Sequence, residues 1–548
     1  MTDVVSGGAD SPTATDASEE TPNQPAVEAA SPPAAGRSGV AAVLTPAKLR
    51  WLLGGLMLGL FLSSTEQSVV ATALPTMAGE LGGANKIAWV VSAYLLTSTI
   101  VTPLYGKLSD LFGRRIVYQS SIAVFIVGSL LCGAAQTMNQ LVAARAVQGA
   151  GGGGLMSLAF VILGDVISPR ERGRYMGVFT GVFAFSSVSG PLWGGLLVDS
   201  AGWRWIFFVI GPIGLVALVV STISLRLPFA TRQRPIDWTG AALLVAASTA
   251  LILVPIWGGH TFGWTSAPLL GVAALGVVLT GVFVAQERRA VEPIVPLHLF
   301  RDRTVSASFA MGFGLMFGIV AVSTFMPLFF QVATGSSATR SGLQMVPQTL
   351  GITAMSTTTG FLVARFGRYK WAMLAGPPVA ITGVLLLSTI DAGTTELALA
   401  PFLVLIGIGL GLVFPNLTLA VQNAVQMSDL GVGTSTANFF RNMGATFGAA
   451  VMGALLASRL HSELAARIPA VDLERLGGAD GLIRSPRAVR DLPPELHRAV
   501  SDAVAGSVTW TVRWVALVLA VVFTLAFFVR EKPLRTTTAM DAPVAPAE

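Results

Sequence analysis

Glu66 is the residue whose type and surroundings most clearly invite chemistry. It lies inside a long apolar run that begins near Trp51, and no other carboxylate is placed so deep in an apolar segment. A charge taken from water into hydrocarbon is costly, so an acid at that depth is a functional candidate by default. It can hold a proton and yield it when water or a cation arrives. A structural acid satisfied by a neighbouring Gln or Ser is the competing reading. Two arginines, Arg145 and Arg441, also fall within apolar runs and must find partners or a wet cavity. A fixed charge at Arg145 can compete with a proton for a nearby carboxylate, or simply serve structure. For Arg441 coupling and structure stand open alike; Asn442 beside it and Asn416 are further polar candidates. Tyr94, Phe329, Phe330, Gln331, Gln344 and Gln348 could line a mixed aromatic and polar cavity, with ordinary packing as the alternative. The four histidines, His260, His298, His461 and His497, lie in loops or at segment ends, so none serves as a deep proton carrier. Cys132 is the single cysteine, and no Cys/His cluster suggests a metal.

The elements that must position these groups follow from composition. The chain has 548 residues, 53% apolar and only 12% charged, with a mean hydropathy of +0.69. A soluble protein carries about 25% charged residues. Half that charge cannot cover several soluble domains, so the apolar residues must face lipid. The expected fold is an all-α polytopic membrane protein. The net charge of +6 does not point to nucleic acid, because the excess sits in short loops.

Residues 1–47 are rich in Ala, Ser, Thr, Pro, Gly and Glu without apolar periodicity, and are expected to be a disordered tail. The first long apolar run starts too late for a secretory signal. Fourteen segments of about 20 residues are long enough to span. They fall near 50–72, 87–106, 116–135, 140–164, 174–197, 203–225, 238–258, 268–286, 305–330, 342–364, 371–390, 396–420, 434–457 and 507–529. Alternate loops carry Lys107, Arg114 and Arg115; Arg170, Arg172 and Arg174; Arg226, Arg232 and Arg234; Arg288, Arg289, Arg301 and Arg303; and Arg365, Arg368 and Lys370. The opposite short loops carry little beyond Lys86, Arg204 and Arg340. The asymmetry places both termini in the cytoplasm. Residues 458–506 are expected as a long external loop with amphipathic stretches at 460–468 and 494–504.

A repeat marks the two halves. Gly106-Lys-Leu-Ser-Asp-Leu-Phe-Gly113-Arg-Arg follows the second segment, and Gly360-Phe-Leu-Val-Ala-Arg-Phe-Gly367-Arg-Tyr follows the tenth. Two six-span bundles, 48–225 and 301–530, joined by a two-span insert over 226–300, account for the spacing; residues 531–548 read as a disordered tail. Repeated halves around a midplane site are a transporter architecture.

Four stretches are specific together. They are Glu66-Gln-Ser-Val-Val-Ala-Thr-Ala-Leu-Pro75, the Gly106–Arg115 loop, Arg145-Ala-Val-Gln148-Gly149, and Gly190-Pro191-Leu-Trp-Gly194-Gly195. In order and position they resemble the signatures of the major facilitator superfamily, in its fourteen-spanner drug:proton antiporter branch. The likeness covers about residues 48–530. Glu66 stands where the branch usually has Asp, Ser68 where it has Thr, and Ser186 where the last motif starts with Gly. Trp203-Arg-Trp-Ile-Phe-Phe and the neighbourhood of Gln331 and Pro347 are similar too.

The resemblance implies roles. Glu66, Arg145 and Gln148 would couple protons to substrate. Gly106, Asp110, Gly113 and Arg114, with Asp165 as third partner, would latch one conformation of the two halves; plain topological charge is the alternative for Lys107 and Arg115. Gly190, Pro191, Gly194 and Gly195 would accompany export, although close helix packing explains small residues equally well. The run Gly149–Gly154 lacks the lysine of a phosphate loop, so no ATP site and no cofactor are expected. The expected protein is a monomeric, multi-pass exporter in the cytoplasmic membrane, driven by the proton gradient. Its partners would be protons, lipid and a small amphipathic substrate. A dedicated exporter of one native metabolite, lipid, siderophore or self-made antibiotic is the alternative. No carboxylate occurs in the tenth segment, which favours monovalent lipophilic cations or neutral compounds over dications.

Overall fold

Long apolar runs leave the backbone one way to satisfy itself in hydrocarbon, which is to form helices. The computed structural model describes residues 46–82, 86–225, 235–258, 261–391, 393–468 and 492–535, and among them there is no strand. Each predicted segment falls on one long helix, except the tenth, whose first residues lie outside it. These are α1 Pro46–Leu81, α2 Ile87–Phe112, α3 Arg114–Ala134, α4 Met138–Val166, α5 Pro169–Ala201, α6 Arg204–Ser224, α7 Trp238–Trp257, α8 Ala267–Glu287, α9 Arg303–Val332, α10 Val346–Phe366, α11 Lys370–Leu387, α12 Glu396–Ala424, α13 Leu430–Arg467 and α14 Pro494–Phe528. By length and composition, ten helices among the described residues can cross a membrane. This is a multi-pass membrane protein.

Local chemistry sets the boundaries. Thr137 caps α4 by accepting the Gln140 N–H at 3.3 Å, Asp237 caps α7 by accepting from Gly240 at 2.8 Å, and Asp302 caps α9 through Thr304 at 2.8 Å. Gly113 links α2 to α3 with φ +89°, a backbone region that glycine enters without penalty.

Helices α1–α6 share cores around Tyr118, Phe125, Leu155 and Phe179, and around Cys132, Trp203 and Phe207. Helices α9–α14 share one around Met311, Phe329, Tyr369, Leu410 and Val508. A smaller cluster, with Val161, Phe309, Val421 and Val432, sits on the seam between them. Helices α7 and α8 pair with each other, and α7 leans on α2 and α13 at that seam.

Three expectations change. The loop predicted over 458–506 is helical at both ends: α13 continues to Arg467 and α14 begins at Pro494. Its amphipathic stretches bury Leu460, Leu464, Val500 and Val504 in the core of α9–α14, which is why they stay helical. The tenth segment, drawn from residue 342, is interrupted. A short helix, Ala338–Gln344, ends at Met345, and α10 starts afresh with Pro347 in its first turn. The tail predicted from residue 531 is pinned over 531–535. Glu531 accepts the Tyr369 N–H at 3.1 Å, and the Arg535 N–H donates to Asn423 Oδ1 at 3.1 Å. The rest of that tail, the N-terminal tail before Pro46, Arg226, Arg232, Arg234 and His260 lie outside the described residues.

Candidate functional site

Glu66 lies halfway along α1 and is buried, as are Arg145 and Gln148 one turn apart on α4. The three form one cluster. Arg145 Nη1 donates to Glu66 Oε1, and also to Gln148 Oε1 at 2.7 Å. Arg145 Nε donates to the Val90 carbonyl at 3.1 Å, and its guanidinium lies 4.4 Å from the centre of the Tyr94 ring. The Tyr94 hydroxyl meets Ser63 Oγ at 3.3 Å. This geometry depends on the glycine run. A Cβ at Gly149 would strike the Tyr94 carbonyl, and one at Gly152 its hydroxyl, so only glycine lets α2 come this close to α4. Two polar atoms stay without a partner among the described residues: Glu66 Oε2 and Gln148 Nε2. A buried ion pair with an open acceptor and an open donor beside it can change partners without rebuilding the fold.

A second cluster sits at the arginine- and lysine-rich end of the helices, called here the basic end. Arg114 Nε donates to Asp165 Oδ2 at 2.6 Å, and its Nη1 reaches both Asp110 Oδ1 and Ser109 Oγ, the latter at 2.6 Å. Asp110 Oδ2 accepts the backbone N–H of Val432 on α13 at 3.0 Å. Gly106 makes room for this crossing, since a Cβ there would lie 2.6 Å from Ser435 Cβ. Lys107, open to a topological reading, has a partner: Nζ lies 2.6 Å from half-buried Glu292, in the stretch of the insert that follows α8.

Reasoning from sequence missed the bridge beside it. Arg172 on α5 is fully buried, and its Nη1 donates to Gln422 Oε1 on α12 at 3.0 Å. Gln422 Nε2 in turn donates to the Phe160 carbonyl at 3.0 Å. Arg170 Nε donates to the Ala364 carbonyl at 3.1 Å. Gly173 and Gly360 lie backbone against backbone, where a Cβ on the former would sit 2.6 Å from the carbonyl of the latter. Two turns further along, Gly181 is looser: a Cβ there would stand 3.6 Å from Thr353. The halves are clasped at the basic end. Arg172 read as loop charge because arginine next to Ser-Pro at a helix start is the ordinary topological signal.

The remaining candidates scatter. On α5, Gly190 meets α1, with an added Cβ only 2.5 Å from Ser68 Cβ; around Gly195 nothing lies within 4 Å, Gly194 is buried, and the side chain of Pro191 lies outside the described residues. Phe330 and Gln344 line one cavity of about 750 Å³ with Arg340, Pro347 and Thr395. Gln331 instead donates to Ser341 Oγ at 3.2 Å, and Tyr94 belongs to the Arg145 cluster, so the mixed cavity drawn from sequence is not one cavity. Asn416 donates to its own helix at Leu412, at 2.6 Å. Arg441 is buried against Asn438, Thr418 and the Phe414 ring, 4.9 Å away, with Asn442 half-buried beside it.

The chain matches the Major Facilitator Superfamily over residues 56–449. It is 38% identical to the multidrug transporter protein MdtP of Bacillus subtilis, across 74% of this chain and 75% of that one. It is also 38% identical to the uncharacterized MFS-type transporter Rv1877 of Mycobacterium tuberculosis, across 92% of this chain and 72% of that one. The solved structure of the proton:xylose symporter XylE superposes with a TM-score of 0.57 at 14% identity, covering 90% of this chain and 98% of that one. At that identity the likeness concerns the fold.

Proposed function

The chain belongs to the Major Facilitator Superfamily, and from that premise we propose that it is a proton-coupled antiporter exporting amphipathic compounds across the cytoplasmic membrane. The observation that carries this reading is the buried Glu66–Arg145 pair with Glu66 Oε2 and Gln148 Nε2 left open beside it. A lone buried carboxylate is costly, and Arg145 offsets that cost only while Glu66 is ionised. A proton arriving on Glu66 removes the reason for the pair. Arg145 can then lean on Gln148, the Val90 carbonyl and the Tyr94 ring, which already hold it. A cationic substrate and a proton would compete for the same carboxylate, and such competition is what exchange requires.

The clasp supplies the second half of the mechanism. Asp110, Arg114, Arg172 and Gln422 hold the bundles together at the basic end, which loop charge assigns to the cytoplasm. The state described is then clasped on the cytoplasmic side. Transport requires these bonds to break as the two bundles rock, exposing Glu66 to that side. The relative named a multidrug transporter supports a broad substrate range.

The test is proton flux in proteoliposomes with an inward-directed pH gradient and an internal pH dye. Adding ethidium should move protons in the wild type and not in Glu66→Gln. Full flux in the variant removes Glu66 from the mechanism. No flux in the wild type with any of a broad panel of cations overturns the antiport reading.

A further inference from the structure

Helices α5 and α6 both pack on α1 but scarcely on each other, so a furrow runs between them with α1 as its floor. Two cavities adjoin there, the first between α5 and α6 and the second between α1, α5 and α10. One, of about 400 Å³, is lined by Glu66 and by Thr65, Trp193, Leu197, Val209 and Ile213 among others. The other, of about 570 Å³ and nearer the basic end, is lined by Gly54, Leu58, Val178 and Thr353 among others. They share Phe61 and Phe185, whose ring centres stand 6.0 Å apart at the junction.

The floor is one stripe of α1. Gly54, Leu58, Phe61, Thr65 and Val69 recur at three- and four-residue spacing, so they share a face. Gln67 projects from the opposite face and is exposed. The cavity at Glu66 is therefore walled by α1, α5 and α6 of the first bundle alone, whereas the second cavity also meets Thr353 of α10. The lips of the furrow are Phe185, 62% exposed, and Trp193, 54% exposed, large apolar side chains that in a membrane face lipid.

Chemistry restricts what fits. Apart from Glu66 and threonine hydroxyls the walls are hydrocarbon or aromatic. Arg145 takes one oxygen of Glu66, and Oε2 has no partner among the described residues. An acyl chain would fill the walls and leave that oxygen unpaired. A flat or bulky apolar body with one positive or N–H-bearing group satisfies both, and a chamber of about 400 Å³ is within the usual size for such a ligand.

We propose that this furrow is a lateral entrance, through which a lipophilic monocation dissolved in the bilayer passes between α5 and α6, past Phe61 and Phe185, to the open oxygen of Glu66. The inference rests on Glu66 as the exchange site and adds the substrate's chemistry and its route.

The test uses the full chain in proteoliposomes with tetraphenylphosphonium as probe. Val209→Trp fills the furrow from an exposed position, so folding is not at stake; Val219→Trp adds the same bulk to the outer face of the same helix, away from the furrow. Phosphonium-driven proton movement should fall by about tenfold in the first, a loss equivalent to about 1.4 kcal/mol, and stay unchanged in the second. In parallel, a diazirine-bearing phosphonium should label peptides holding Phe185, Trp193 or Val209, and excess tetraphenylphosphonium should compete that labelling. Unchanged flux in Val209→Trp overturns the entrance while leaving antiport intact. So does labelling confined to the surroundings of Gln67, or furrow labelling that tetraphenylphosphonium does not compete, which would mark a lipid-filled groove. If the wild type itself moves no protons, antiport fails, and competed labelling in the furrow alone still upholds the entrance.

Discussion

Asp110 accepts the backbone N–H of Val432 at 3.0 Å, so one carboxylate of α2 holds the first turn of α13. The same repeat position in the second half is Ala364, whose carbonyl accepts from Arg170 of α5 at 3.1 Å. The two halves thus hold each other by pseudo-symmetric bonds, one through a side chain and one through the backbone.

Asp110→Ala should weaken the clasp. A hydrogen bond to a charged group contributes about 1.5–3 kcal/mol, so the balance of conformations should shift by about tenfold or more towards the form open at the basic end. Spin labels on exposed residues of α2 and α13 near that end should report longer distances in the variant. An unchanged distance distribution would confine Asp110 to positioning Arg114.

Arg145→Ala should cost more than removing the whole pair. The single change leaves Glu66 buried and unpaired, which typically destabilises by about 3–5 kcal/mol. Glu66→Gln combined with Arg145→Met removes both charges and should restore most of the folded yield in detergent, though not transport. Additive losses in the double variant would show that the two side chains are not energetically coupled.

Gly190 and Gly195 belong to one motif but stand in different surroundings. Gly190→Ala should impair transport and lower the melting temperature, because its Cβ would sit 2.5 Å from Ser68 Cβ, two residues from Glu66. Gly195→Ala has open space and should stay within about 0.5 kcal/mol of wild type. Equal effects would mean that the motif acts through backbone flexibility and not through close approach.

Asp302 offers a prediction with a pH sign. Burial pushes its carboxyl up, but Lys532 Nζ at 2.7 Å and the N–H groups of Val305 and Thr304 outweigh this and hold it below the usual carboxylate range. A lowered folded value means the contribution is complete above the unfolded value of about 3.9 and vanishes as pH falls through the folded one. Asp302→Ala should cost about 1 kcal/mol at pH 7, chiefly as a lost helix cap, and almost nothing in strong acid. Asp302→Asn keeps the cap and should cost less; equal losses would place the stabilisation in the ion pair, which at this exposure solvent screens.

Much of this was legible in the chain. The apolar runs have the length of helices that cross a bilayer, and Glu66 and Arg145 stand out because charge is so rare within them. The sequence is silent where one residue type serves two ends. Arg172 and Lys107 look like loop charge until Gln422 and Glu292 are seen against them. The charged stretch beyond residue 457 reads as loop, yet Leu460 and Leu464 share a helix face and are buried. The furrow was invisible because an apolar residue facing lipid and one facing a ligand have the same composition; Phe61 and Phe185 differ from core phenylalanines only in their neighbours.

The reach of α13 and α14 has a practical consequence. With 38 and 35 residues at about 1.5 Å each, they measure roughly 57 and 52 Å. A bilayer's hydrocarbon is about 30 Å thick. The pair must therefore stand clear of a detergent belt as a rigid stub on one side, away from the basic end. Such a stub is a natural fiducial: an antibody fragment raised against it would break the pseudo-symmetry of particle images, and its accessibility on intact cells would report sidedness directly.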